Sequence, residues 1–154
     1  NDNLPKAFKR AVRYVLNLAI IICDIDHFKS VNDHYGHQAG DEVLKYFVKE
    51  INGALRKDLD WMARYGGEEF IIVLPETDLT GGLAAAERFR AIIAQSVIPA
   101  DGNDIKITAS FGVASVGQDG DKFHLTTEDL IKAADQCLYQ AKERGRNKCI
   151  GIAI

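Results

Sequence analysis

The chain has 154 residues, 47% hydrophobic and 27% charged, the size and balance of one globular domain with a sizeable core. A formal net charge of -3 provides no general basic field for nucleic acid or an anionic membrane, and no apolar run is long enough to span a bilayer. Three cysteines without a CxxC pair argue against a disulfide or zinc framework and for free thiols in a reducing compartment. In chain order, Ala7, Phe8, Ala11, Val12 and Val15 recur at helical spacing and predict a short helix over 7–16. Together with the opening Asn-Asp-Asn-Leu-Pro, it is expected to be a linker remnant (1–17) from a longer chain. Leu18 to Ile25 is almost continuously apolar, as in a central strand buried on both faces. Phe28, Val31 and Tyr35 then set a helix beginning near Asp26, placed as its N-cap, and ending at Gly36. A longer helix over 40–55 carries the stripe Val43, Leu44, Phe47, Val48, Ile51 and Leu55. Two strand-like runs, 61–65 and 70–74, flank Gly66-Gly67, a two-residue hairpin signal. Glu68 and Glu69 would start its second arm, sent to opposite faces by strand alternation.

A helix over 79–97 follows, then one strand over 105–116 with Gly112 as a bulge or kink, then a turn-rich loop over 117–121. Thr126 with Asp129 forms a capping box opening a helix over 128–144, closed by Gly145 at the position after its cap. Cys149 to Ile154 is a closing strand. Strand, two helices, hairpin, helix, strand, helix, strand is the order of an α+β fold, a single central sheet flanked by helices.

Three groups of residues could carry chemistry. Asp24-Ile25-Asp26 ends the buried strand, where a carboxylate is fixed and poorly solvated and suits a hard cation. Asp24 is favoured as the ligand, with the Ile25 carbonyl beside it, whereas Asp26 is favoured as a helix cap. Glu68 or Glu69 would supply the second carboxylate, the bland alternative being solvated acids on a surface hairpin. Asn32 and Asp41 flank Gly36 to Gly40. A carboxylate there can accept both donors of a guanine edge, which adenine lacks, or can simply serve the first turn of its own helix. Lys142 and Arg146 close the last helix, either as cations at a helix C-terminus or as phosphate contacts. His34 and His37 have Gly36 between them and no further ligand cluster, so zinc is set aside.

From Leu18 onward the chain resembles the GGDEF domain of bacterial diguanylate cyclases, with 18–154 as the catalytic domain. The resemblance rests on Asp24-Ile25-Asp26-His27-Phe28-Lys29-Ser30-Val31-Asn32-Asp33, Tyr35-Gly36-His37, Gly40-Asp41 and Arg64-Tyr65-Gly66-Gly67-Glu68-Glu69-Phe70. It continues through Thr108 to Ala114, Ala134-Asp135, Leu138 to Lys142 and Gly145-Arg146-Asn147, with motif type, order and spacing in agreement. Glu68 stands at the signature's third position as a variant of aspartate.

The resemblance implies a palm-like nucleotidyl cyclase fold and the condensation of two GTP to cyclic di-GMP and pyrophosphate, with magnesium or manganese. It implies that Asp24, the Ile25 carbonyl and Glu68 hold metal, assisted by Glu69, and that Asn32 and Asp41 read guanine. The backbone through Phe28 and Lys29 would cradle phosphates, Lys142 and Arg146 would contact them, and the Gly66-Gly67 turn would line the GTP site. It further implies a transient homodimer, an upstream regulatory region, no nucleic-acid partner and a cytoplasmic bacterial location, leaving open a membrane anchor upstream. The inhibitory product site of many members, Arg-x-x-Asp, reads here as Lys57 to Asp60, and loss of the arginine fork predicts weak or absent product inhibition. The family's leading Asp-x-Leu-Thr-x-Leu segment is not clearly present, Leu4-Pro5 being its remnant at most. The alternative function is a catalytically silent module binding GTP or cyclic di-GMP, against which the full set Asp24, Asn32, Asp41, Glu68 and Glu69 weighs.

Overall fold

A computed structural model of the protein describes residues 2–117 and 122–154. In chain order it forms α1 (Asn3–Tyr14), β1 (Leu18–Ile25), α2 (Phe28–Tyr35), α3 (His37–Ala54), β2 (Trp61–Gly66) and β3 (Glu69–Pro75). There follow α4 (Leu79–Gln95), β4 (Ile98–Ala100), β5 (Asn103–Ile105), β6 (Ala109–Val116), α5 (Thr127–Glu143) and β7 (Cys149–Ala153). Five strands make one sheet in the order β2-β3-β1-β6-β7, and β4 pairs with β5 beside it. The sheet is antiparallel except for β6 and β7, a parallel pair joined through the α5 crossover. The α+β architecture expected from the element order is present. Among the described residues, no helix is long and apolar enough to cross a membrane.

β1 explains the layering. All eight of its residues are buried, and its alternation divides them between two cores. Ala19, Ile21, Cys23 and Ile25 join Val43, Phe47 and Ile51 of α3 and Ala86, Phe89 and Ile93 of α4. Leu18, Ile20 and Ile22 join Leu4, Phe8 and Ala11 of α1 and Leu130, Ala134 and Leu138 of α5. Full burial of Phe47, Phe89 and Ile93 contributes about 1.5–3 kcal/mol each. The same alternation continues to the end of β1, so Asp24 and then Asp26 fall on the α5 side.

Several local expectations need correction. α1 starts at Asn3, not 7, because Leu4 begins its buried stripe and Pro5 is tolerated in a first turn. Leu4, Phe8 and Ala11 seat it on the sheet. α2 starts at Phe28 after His27, which is left-handed at φ 55°, and no side chain caps it; Asp26 is not its N-cap. The hairpin turn is Gly67-Glu68 rather than Gly66-Gly67, since a register shift between Arg64 and Gly66 carries β2 one residue further. Arg64 Nε donates to the Gly67 carbonyl at 2.7 Å and braces that turn. Glu68 therefore sits in the turn, where strand alternation does not govern it. The strand expected over 105–116 is broken at 106–108, although Ile105, Ile107, Ala109, Phe111 and Val113 keep the period-two pattern into one core. Gly112 makes no bulge; it pairs in register with Ile22. A Cβ there would lie 2.2 Å from the Ala134 carbonyl and 2.3 Å from the Leu138 amide, so the residue is small because α5 lies directly on β6. Beyond Gly117, the loop expected over 117–121 lies outside the described residues. The Thr126–Asp129 capping box forms as expected. Gly145, at φ 107°, takes the position after the helix cap, with Arg146 N–H on Ala141 C=O and Gly145 N–H on Lys142 C=O.

Candidate active site

The antiparallel register sets Asp24 directly opposite Glu69 on β3 and opposite Ser110 on β6. α5 crosses the same face, and its Asp135 and Lys142, seven residues and two turns apart, lie along one side of it. Lys142 Nζ donates to Asp24 Oδ2. Asp24 Oδ1 is buried and has no hydrogen-bond partner among the described residues. A buried carboxylate oxygen left unpaired is costly, and it is open to a cation. Burial pushes the Asp24 carboxyl above its ordinary range against the pull of Lys142, and the charges of Glu68 and Asp26 push the same way. Glu68, partly buried in the turn, is thus within electrostatic reach of Asp24. Glu69 is also raised, by burial and then by the charges of Asp135 and Asp24. Asp135 is raised by burial and lies within electrostatic reach of Glu69.

Asp26 does other work. Its Oδ2 accepts from Thr108 Oγ1 at 2.7 Å and from the Asn147 amide at 3.0 Å, and its Oδ1 accepts from Ser110 Oγ at 2.7 Å. Asp26 is 5% exposed, and its carboxylate ties the end of β1 to the approach to β6 and to the loop after α5.

A second group lies at the α2–α3 contact. Gly40 is buried under Asn32, whose Oδ1 would be 1.8 Å from a Cβ at that position. The missing side chain lets Asn32 lie against the start of α3, with Asp41 exposed next to it. Phe28 is buried and Lys29 is exposed. The first turn of α2 carries neither a side-chain cap nor an acid among the described residues; the Ser30 and Val31 amides bond the His27 carbonyl, and the Phe28 and Lys29 amides before them face the helix N-terminus, where an anion is favoured. Gly66 and Gly67 are exposed at the tip of the hairpin. Arg146 is exposed beyond α5, left-handed at φ 62°.

Lys57 and Asp60 lie at the other end of the sheet, before β2. Lys57 is exposed, and the Asp60 carboxylate is taken by Arg56 through Nε at 3.0 Å and Nη2 at 2.7 Å. Arg56 also donates to the Pro75 carbonyl and to Thr77 Oγ1, each at 2.8 Å.

The fit to a divalent cation rests on oxygen donors: the unpaired Asp24 Oδ1, the neighbouring Ile25 carbonyl, and Glu68 and Glu69 nearby. Among the described residues, no three histidine, cysteine or acidic side chains are arranged to hold a metal by themselves. Such a set would suit a cation bound together with a ligand that brings further oxygens. Cysteine chemistry is absent from the site: Cys23 and Cys137 are buried, and burial pushes Cys149 up to about 12. Sequence reasoning gave Asp135 no role and did not pair Lys142 with Asp24. The signal for both was the two-turn spacing that places them along one side of α5.

The family model described as "Diguanylate cyclase, GGDEF domain" matches residues 1–148. Diguanylate cyclase A of Treponema denticola is 42% identical over 131 residues, covering 85% of this chain and 34% of the relative. The chain thus spans about a third of the length of such curated relatives. The active GGEEF domain of a diguanylate cyclase from Vibrio cholerae superposes with a TM-score of 0.86 at 37% identity, covering 97% of this chain and 91% of that one. The GGDEF domain of DgcB from Caulobacter crescentus, solved in complex with c-di-GMP, superposes with a TM-score of 0.88 at 30% identity, covering 97% and 86%.

Proposed function

The chain belongs to the GGDEF domain family of diguanylate cyclases, and from that premise we propose that it condenses two GTP molecules to cyclic di-GMP, releasing two pyrophosphates. The observation that carries this reading is the buried, unpaired Asp24 oxygen beside Glu68 and Glu69. Asp24, the Ile25 carbonyl, Glu68 and Glu69 would hold a divalent cation, magnesium or manganese, which supplies positive charge at the reacting phosphate and acidifies the attacking hydroxyl. The rest of the reading concerns this chain's own groups. Asp41 accepts from the guanine N1–H and amino group, with Asn32 fixing the same edge; adenine would set its acceptor N1 against the carboxylate. The open amides at the start of α2, by Phe28 and Lys29, receive phosphate oxygens. Lys142 and Arg146 neutralise the same phosphates, and the exposed Gly66-Gly67 segment lines the nucleotide. Each domain holds one GTP, so the 3′-hydroxyl on one copy meets the α-phosphate on another only when two copies face each other.

The test is product analysis by chromatography after incubation with GTP and magnesium. The parent is expected to form cyclic di-GMP and Glu68→Ala to lose at least about a hundredfold of that turnover, the scale of a lost transition-state charge contact. Full turnover by Glu68→Ala would remove Glu68 from the metal site. The Arg56 fork on Asp60 also supports weak product inhibition. Turnover should therefore continue as cyclic di-GMP accumulates to about micromolar, a level at which a one-micromolar site would be half filled. A stall relieved by Lys57→Ala would overturn that part.

A further inference from the structure

The loop after α5 is held in a conformation that its residues do not favour. Gly145, Arg146 and Asn147 have consecutive φ values of 107°, 62° and 47°. Glycine accepts this region and asparagine tolerates it, but an arginine stays there only when its surroundings hold it. Two of the holding contacts are peripheral: Arg146 N–H bonds the Ala141 carbonyl at 3.0 Å, and Asn147 Oδ1 accepts from Arg90 Nη1 at 2.9 Å. The third is part-buried, the Asn147 amide on Asp26 Oδ2 at 3.0 Å. Asp26 is itself immobilised by Thr108 and Ser110, so the loop is tied to the fixed end of β1 by a charge-assisted bond. The Arg146 guanidinium, by contrast, is exposed and makes no ion pair among the described residues.

We propose that Asp26 is a positioning residue for the triphosphate of GTP: its buried carboxylate fixes the left-handed Arg146–Asn147 backbone from which the Arg146 side chain is presented. The proposal rests on the reading of Arg146 as a phosphate contact. It separates Asp26 from Asp24, two residues earlier on the same face. Asp24 keeps an oxygen free for a ligand, whereas both Asp26 oxygens are filled by protein donors.

The experiment is calorimetric binding of GTP and GMP, in magnesium, to the parent, Asp26→Asn, Arg146→Ala and the double variant, with a thermal melt of each. Arg146→Ala should lose about tenfold in GTP affinity, the scale of one lost charged contact, with GMP within about twofold. Asp26→Asn should show the same GTP-selective loss, and the double variant should be no worse than either single one. Parallel losses for GTP and GMP in Asp26→Asn, or additive losses in the double variant, would overturn the proposal; additivity would mean that Asp26 acts through the metal site instead. Should Asp26→Asn fail to fold, Thr108→Val takes its place. It removes the hydroxyl that holds the same Asp26 oxygen as the Asn147 amide, and must give a GTP-selective loss of about threefold, a part of the lost contact, or the proposal falls. An Arg146→Ala variant with unchanged GTP affinity would mark the failure of the phosphate-contact reading itself. Selective loss in Arg146→Ala without selective loss in Asp26→Asn would mark the failure of the positioning role alone.

Discussion

Lys142 and Asp24 form an ion pair of unequal members: the lysine side chain is 33% exposed and the aspartate 13%. Lys142→Met keeps most of the stem and removes the charge, leaving Asp24 beside Glu68 and Asp26 with nothing to offset its burial. The Asp24 carboxyl, already raised, would then rise further. The folded state then keeps its proton at pH values where the unfolded chain has lost it, so stability falls as pH rises through the window between the ordinary and the raised value. Below the ordinary carboxylate value both states are protonated and the pair contributes nothing. Urea melts should therefore show parent and Lys142→Met close together near pH 4 and separated by about 1–2 kcal/mol near pH 8, less than for a fully buried pair because water screens the lysine. A gap that does not change with pH would refute this. At this scale the sequence was readable where a residue's neighbours in the chain set its environment, as for Asp24 at the end of an apolar run. It was unreadable for Asp26, whose partners Thr108, Ser110 and Asn147 are distant in sequence and which consequently looked like an ordinary helix cap.

Elements were legible wherever their signals were local. The bounds of β1, the capping box at Thr126 and the glycine stop at 145 need only a few adjacent residues, and all three form as expected. The hairpin turn moved by one residue because the shift between Arg64 and Gly66 is a property of paired strands and not of the Gly-Gly pair. The run over 105–116 misled because alternation reports which core a side chain enters, not whether its backbone has a ladder partner. Gly112 was legible as special, but the reason lay in α5. Gly112→Ala would drive a methyl into two backbone atoms that have no rotamer to escape by. It should cost at least about 3 kcal/mol, the upper end for overpacking, whereas Thr126→Ala on the same helix should cost about 1 kcal/mol. Chemical denaturation of both variants checks the order, and equal losses would mean that α5 can lift from the sheet.

The whole molecule places its acids and its guanine-reading candidates on one domain, while the proposed reaction joins two GTP molecules. If the active site closes between two facing copies, the rate per enzyme should rise in proportion to concentration at dilute protein, and fusion to a dimeric leader should remove that dependence. A constant rate per enzyme across about a hundredfold dilution would require a site complete in a single copy or a dimer too tight to dissociate over that range, and sedimentation at the lowest concentration separates the two. The Gly112 seam bears on how such a protein could be switched on and off. Helix and sheet meet there backbone to backbone, with no side chain on Gly112 between them, and a close-packed contact of that kind passes strain on rather than absorbing it. Sliding the helix to withdraw Lys142 and Asp135 from Asp24 and Glu69 would have to disturb that seam. If the active site closes between two copies, the lever available to an upstream signal would be the orientation and distance of one body relative to another, and inactivity would mean two intact half-sites held apart, ready to work as soon as they meet.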